Sequence, residues 1–252
     1  VTHPYLTGTP HPRVLAHRGL AVPGDHVAEN SFAAIAAAHA AGAAYVESDC
    51  HVTAEGHVVL FHDDTLERVT GDRRAIAEVS LRELAQQMES LGGLATLEQS
   101  LEAFPETRFN LDVKAGAAAV GVGRLVAEHA DRVLVTSFSD QRRRIAMDAA
   151  LPARPAISPG SRTITRIVAA VGAGLRPVAM RLLRGFDAIQ IPERQGAIRV
   201  LTPRLIRWAH DADVEVHVWT VNDPQRMRML VAMGVDGIVT DRADLALETL
   251  TR

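Results

Sequence analysis

Cysteine and lysine are almost missing from this chain of 252 residues. Cys50, the lone cysteine, can form no intramolecular disulfide, and its setting suits it to packing as a small apolar residue. A reducing compartment fits that usage, so the cytoplasm is the expected location, with secretion after removal of a leader as the alternative. Lys114 is the only lysine; every other basic side chain apart from histidine is arginine. Long apolar runs are absent too. No stretch approaches the ~20 residues that cross a bilayer, and Val1-Thr2-His3-Pro4 has neither the charged start nor the apolar segment of a signal peptide. Membrane insertion is therefore not expected. Charge of one sign is scarce as well: the net charge is -3 without long runs, which leaves no electrostatic footprint for nucleic acid or an anionic membrane. Small molecules are the expected partners.

What is present reads as an ordered globular chain, 47% hydrophobic and 23% charged, long enough for one large α/β domain or two small ones. Its organising stretch is Tyr45 to Asp63. Glu47 and Asp49 stand two apart in a strand pattern, so both carboxylates face the same way. Thr53-Ala54-Glu55-Gly56 reads as a turn, and Val58 to Phe61 as a second strand ending on His62-Asp63. A hairpin thus returns a histidine toward two carboxylates. Like charges side by side on a strand are costly without a cation or strong donors, which points to a metal site.

Elsewhere strands and helices alternate. Apolar strands near residues 14, 46, 110, 134, 156, 189, 216 and 238 are each followed by a helical pattern, with Val58 to Phe61 as a hairpin excursion after the second. Eight such units in one chain predict a single TIM (β/α)8 barrel over residues 1–252. The competing doubly wound sheet wants a Gly-rich nucleotide loop after its first strand, and Gly19 alone is not one.

Charged residues fall repeatedly at strand C-terminal ends: His17 and Arg18, Glu47 and Asp49, Asp112 and Lys114, with His62 delivered by the hairpin. On a barrel these converge on one mouth. Three carboxylates suit a hard divalent cation, Mg²⁺ or Ca²⁺ with Mn²⁺ also accommodated, rather than structural zinc. Arg18 and Lys114 would be repelled by the cation but attracted to an anion on it, and two histidines can exchange protons near neutrality. Those roles point to metal-assisted cleavage of a phosphodiester.

The motifs His17-Arg18-Gly19, Glu29-Asn30-Ser31, Glu47-x-Asp49, Thr53-x-Glu55-Gly56, His62-Asp63, Asp112-x-Lys114, Trp219-Thr220-Val221-Asn222 and Gly234-Val235-Asp236-Gly237-Ile238 span most of the chain. In that order they resemble the glycerophosphodiester phosphodiesterase family. The resemblance implies a TIM barrel, a divalent metal, and hydrolysis of glycerophosphodiesters to an alcohol and glycerol 3-phosphate. Carried over by position, it makes His17 and His62 the acid/base pair, Glu47, Asp49 and Asp112 the metal ligands, and Arg18 and Lys114 the phosphate contacts. Two positions depart from the family pattern: Ala28 replaces a proline, and Asp112 replaces the commoner glutamate, one methylene shorter in reach.

Other residues have plainer expectations. Trp219 is expected to form a wall for the substrate's alcohol, Phe138 to sit in the core, and Arg142-Arg143-Arg144 to be a solvated helix face. His39, His129 and His210 read as surface residues, and His51 and His57 receive no role. Glu29 stands evenly between orienting His17 or Arg18 and favouring a helix start. Rival functions on the same barrel are lysophospholipid cleavage of the phospholipase D type, against which no apolar lipid-docking loop is evident, and binding of phosphorylated ligands without turnover.

Overall fold

Residues 2–22, 24 and 26–250 are described by the computed structural model of the chain. Val1 of the N-terminal reading, and Pro23 and Asp25 of the loop after the first strand, lie outside them. The barrel strands are β1 (Arg13–His17), β2 (Tyr45–Val52), β4 (Arg108–Val113), β5 (Val133–Thr136), β6 (Ala156–Ile157), β7 (Ala188–Ile191), β10 (Glu215–Val218) and β11 (Gly237–Thr240). They pair in parallel in the order β6-β5-β4-β2-β1-β11-β10-β7. Asp187 completes the circle between β6 and β7: its N–H donates to the Ile157 carbonyl at 3.0 Å, and its carboxylate accepts from Ile157 N–H at 2.9 Å. The expected eight-stranded barrel is the architecture found. β3 (Val58–Leu60) runs antiparallel to β2 as the excursion.

Side chains sort by the two-residue period of the strands. One set packs outward, joining β1, β2, β4, β5, β7, β10 and β11 to the helices in the main core. The inward set fills the bottom of the barrel with Leu15, Tyr45, Leu134, Ala156, Ala188 and Val239, over which Tyr5 and Leu6 fold as a plug. The barrel is therefore closed below and open only above. Beside the plug Arg13 forks onto Glu215 at 2.8 and 2.7 Å, and His217 Nε2 lies 3.1 Å from the same carboxylate. Burial would raise Glu215, but its hydrogen bonds with His217 and Arg13 outweigh that and hold it down to about 2. A depressed carboxylate stabilises the fold above its unfolded pKa and loses that contribution on acidification. Up to about 3 kcal/mol should disappear as pH falls from roughly 4.5 to 2, and Glu215→Gln should flatten the melting temperature across that window.

Helix starts follow their caps. Ser31, Ser80, Thr96, Ser139, Thr202 and Asp223 each accept from a backbone N–H of the first turn, the arrangement that satisfies otherwise unpaired donors. The helices are α1 (Phe32–Ala40), α2 (Glu67–Thr70), α3 (Leu81–Met88), α4 (Leu97–Ala103), α5 (Ala119–Val126), α6 (Asp140–Ala150), α7 (Ser161–Gly172), α8 (Arg176–Leu183), α9 (Pro203–His210), α10 (Pro224–Ala232) and α11 (Ala243–Leu250). The structure departs from plain strand–helix alternation, or from a local expectation, in three places. Around the excursion Val59, Phe61, Leu66, Ile76, Val79, Leu84 and Met88 form a small core of their own. The arginine cluster on α6 is not wholly solvated: Arg143 is buried, with its guanidinium 5.1 Å from the Phe186 ring centre. A short hairpin, β8 (Arg194–Gln195) with β9 (Ile198–Arg199), rises between β7 and α9, too brief for periodicity to reveal.

Candidate active site

His17, Arg18, Glu47, Asp49, His62, Asp112, Lys114 and Trp219 all line one cleft of about 600 Å³ at the open end. Strand register explains the carboxylates. His17 on β1 stands opposite Glu47 on β2, and Asp49 stands opposite Asp112 on β4. Two carboxylates directly opposite on neighbouring strands repel. Lys114, two residues beyond Asp112 and so on the same face, places Nζ 3.0 Å from Asp49 Oδ1 and 2.7 Å from Asp112 Oδ2. Burial would lower this lysine, yet Asp49 and Asp112 outweigh burial and hold it charged. A single point charge between two acceptors suits an ammonium better than a planar fork, which rationalises the one lysine of the chain.

The backbone turns sharply after β1. Arg18 has φ 58° and Gly19 φ 83°, and a Cβ on Gly19 would stand 2.6 Å from the Ala34 carbonyl carbon, so only glycine fits against α1. The Arg18 N–H donates to the Glu47 carbonyl at 2.9 Å, and its own carbonyl accepts from Asn30 N–H at 2.8 Å. Asn30 in turn donates Nδ2 to Asp49 at 3.0 Å and accepts from Ser48 Oγ. The Arg18 side chain donates to Glu29 at 2.8 Å and lies 3.2 Å from Asp49. Glu29 therefore orients Arg18 and is not on the helix.

Both histidines present the same arrangement. His17 Nδ1 lies 2.6 Å from Asp241 Oδ1, and His62 Nδ1 lies 2.6 Å from Asp63 Oδ1. A carboxylate on Nδ1 fixes that nitrogen as the proton carrier and leaves Nε2 for chemistry. Each carboxylate is itself held: Asn222 donates to Asp241 at 2.7 Å, and Arg68 spans Asp63 and Glu29 at 2.6 Å each. Burial would lower His17, but the Asp241 hydrogen bond and the charge of Glu47 outweigh it and raise the ring above its ordinary value. The Arg68 hydrogen bond is the main cause that holds Asp63 down to about 2. His51 is buried, its Nε2 3.2 Å from the His62 carbonyl, and burial lowers it. Asp241 and Arg68 belong to none of the sequence motifs, and Asn222 stands in one without an assigned contact; Asp241 and His17 are 224 residues apart.

The residues that could hold a cation are mixed in their fit. Glu47 lies 3.9 Å from His17 Nε2, and burial followed by the charge of Asp49 pushes its carboxyl up to about 8. Asp112 Oδ1 is buried without a hydrogen-bond partner. The cluster thus has carboxylate oxygen to spare and too little positive charge. In spacing, however, no group of three His, Cys, Asp or Glu among the described residues surrounds a common point, and Lys114 stands between Asp49 and Asp112.

Part of the remaining lining is apolar. Ile164 and Val168 on α7, Ile198 and Val200 at the β8–β9 hairpin, Phe138 and Trp219 line the same cleft. Phe138 is 54% exposed and is not core, because it follows β5 at the rim and stacks edge-on against Trp219. Ile198 is 63% exposed on the hairpin, among Arg194, Gln195 and Arg199.

Comparison with known proteins agrees with the motifs. Residues 17–245 match the model of the glycerophosphoryl diester phosphodiesterase family. A probable glycerophosphodiester phosphodiesterase 2 of Mycobacterium tuberculosis is 37% identical over 94% of this chain and 89% of its own length. Lysophospholipase D GDPD1 of Rattus norvegicus is 24% identical, covering 91% of this chain and 83% of its own. An Oleispira antarctica phosphodiesterase, solved with the product sn-glycerol-3-phosphate, superposes with a TM-score of 0.74 at 21% identity, over 96% of this chain and 98% of that one. Matched by its family model over most of its length, the chain belongs to the glycerophosphoryl diester phosphodiesterase family.

Proposed function

We propose that the chain hydrolyses small glycerophosphodiesters to an alcohol and sn-glycerol 3-phosphate, using His17 and His62 as acid and base and one divalent cation, Mg²⁺ or Ca²⁺ with Mn²⁺ accepted. The observation that carries this is the matched pair of histidines, each with Nδ1 on a carboxylate, in one cleft with Arg18 and Lys114. Each ring keeps Nε2 free of that carboxylate. One can take the proton of the attacking oxygen while the other returns a proton to the leaving oxygen. Arg18 and Lys114 would hold the phosphoryl oxygens through charge-assisted hydrogen bonds. Glu47, Asp49 and Asp112 would hold the cation, which when bound would offset charge on the phosphoryl group. The spare oxygen of Asp112 and the raised Glu47 support that assignment in donor chemistry.

The test is release of glycerol 3-phosphate from glycerophosphocholine and glycerophosphoethanolamine by metal-stripped protein, with each cation added back. Stripping should lower the rate by about two orders of magnitude or more, restored by at least one of the three ions. No release with any ion, from folded protein, would overturn the reading. A second reading, cleavage of lysophospholipids, is favoured by the apolar wall of Ile164, Val168 and Ile198. Lysophosphatidylcholine as a parallel substrate separates the two.

A further inference from the structure

Two amides in the depth of the cleft have no work in the fold. Asn110 on β4 and Gln190 on β7 face into the barrel just above its apolar floor, Gln190 two residues beyond the floor residue Ala188. Asn110 is 2% exposed and stands opposite Glu47 in the strand register. Its Oδ1 and the Gln190 Nε2 are both buried without a hydrogen-bond partner. The contrast within the same site is sharp: Asn30 is committed to Asp49 and Ser48, and Asn222 to Asp241 and Thr240. Buried polar atoms are nearly always paired, so unpaired ones on a cleft wall mark where a ligand completes the bonding.

The chemistry of that ligand can be narrowed. A phosphate oxygen only accepts, and Arg18 and Lys114 supply cationic donors for it. A quaternary ammonium neither donates nor accepts, and a primary ammonium only donates. Each amide carries both a donor and an acceptor, and neighbouring hydroxyls, which donate and accept, match either atom of either side chain. Because either amide can turn over, the match does not depend on which of its atoms faces the ligand.

We propose that Asn110 and Gln190 form the subsite for the two free hydroxyls of the glycerol moiety, so that glycerol lies deep and the departing alcohol lies toward the rim at Phe138 and Ile198. This rests on the phosphodiesterase reading above. It makes the two amides specificity-determining residues for unacylated glycerol: an acyl group on either hydroxyl would remove a bonding partner and add bulk against the floor.

The first arm uses the unaltered protein, with calorimetric binding of glycerol 3-phosphate, propyl phosphate and inorganic phosphate. Glycerol 3-phosphate should bind about tenfold or more tightly than propyl phosphate, which differs only by the two hydroxyls. Equal binding of the two would overturn the proposal. The second arm compares Gln190→Met with the unaltered protein on glycerophosphocholine and on bis(4-nitrophenyl) phosphate, which has no glycerol. The variant should lose about tenfold more kcat/KM on the first than on the second. Equal losses on both, or none, would refute the role even if the hydrolysis itself stands. An unaltered protein that cleaves bis(4-nitrophenyl) phosphate but no glycerophosphodiester would overturn the functional reading, and the subsite with it.

Discussion

Replacing His62 by alanine is expected to lower kcat for glycerophosphocholine by ~10²- to 10⁴-fold, and His17→Ala by a similar factor. Neither ring belongs to the hydrophobic cores, so each variant should fold. His62 reaches the cleft from the excursion, and its one side-chain partner is the neighbouring Asp63. KM should change far less than kcat, because the phosphate contacts assigned to Arg18 and Lys114 remain in each variant. The double variant should lose little beyond the worse single one, since an acid and a base acting in one displacement fail as a unit. Steady-state kinetics alongside circular dichroism decide the matter. A folded His62→Ala protein with near-normal kcat would remove this residue from the chemistry.

The second large effect concerns stability. Lys114→Met should destabilise the metal-free protein by roughly 3 kcal/mol, because it leaves Asp49 and Asp112 adjacent and buried with their shared cation gone. Arg18 stays near Asp49, and Asp112 keeps only the charge of Arg142, with which it makes no ion pair. Lys114→Arg should recover only part of the loss, since a fork cannot place one donor group where Nζ now meets both oxygens. Denaturant midpoints in the presence of a chelator measure this directly. A Lys114→Met protein as stable as the unaltered chain would mean that the carboxylates relieve their repulsion in another way, by protonation or by rearrangement.

The barrel was legible because its strands end in charge. An apolar run that stops at His17-Arg18, or at Asp112-x-Lys114, states both the strand and the end that faces the mouth. Pairwise geometry was less accessible. Asp241 lies just before the last helix, where an acidic residue is ordinary, and only the pairing of β11 with β1 brings it to His17. Arg68 sits in a helix of four residues, Glu67–Thr70, whose purpose no periodicity conveys. Phe138 misled because an aromatic residue at a strand end signals core in most folds, whereas at the open end of a barrel it forms the rim. Asn110 was hidden inside an apolar strand, with nothing local to distinguish a structural amide from a vacant one.

The excursion after β2 straddles two cores, with Val58 and Leu60 in that of the barrel and Val59 and Phe61 in a small one of its own. Consequently the two histidines are anchored to different cooperative units. His17 is part of a barrel strand and shares the fate of the whole sheet, while His62, Asp63 and Arg68 ride on a smaller unit. That unit is tied by backbone bonds to β2, to the start of α1 and to the start of α4, and by Arg68 to Glu29. Small units of this kind open at lower free energy than the global fold. On warming, activity should therefore fade before the barrel melts, and amides around Phe61 and Leu66 should exchange with solvent earlier than those of β1 or β4.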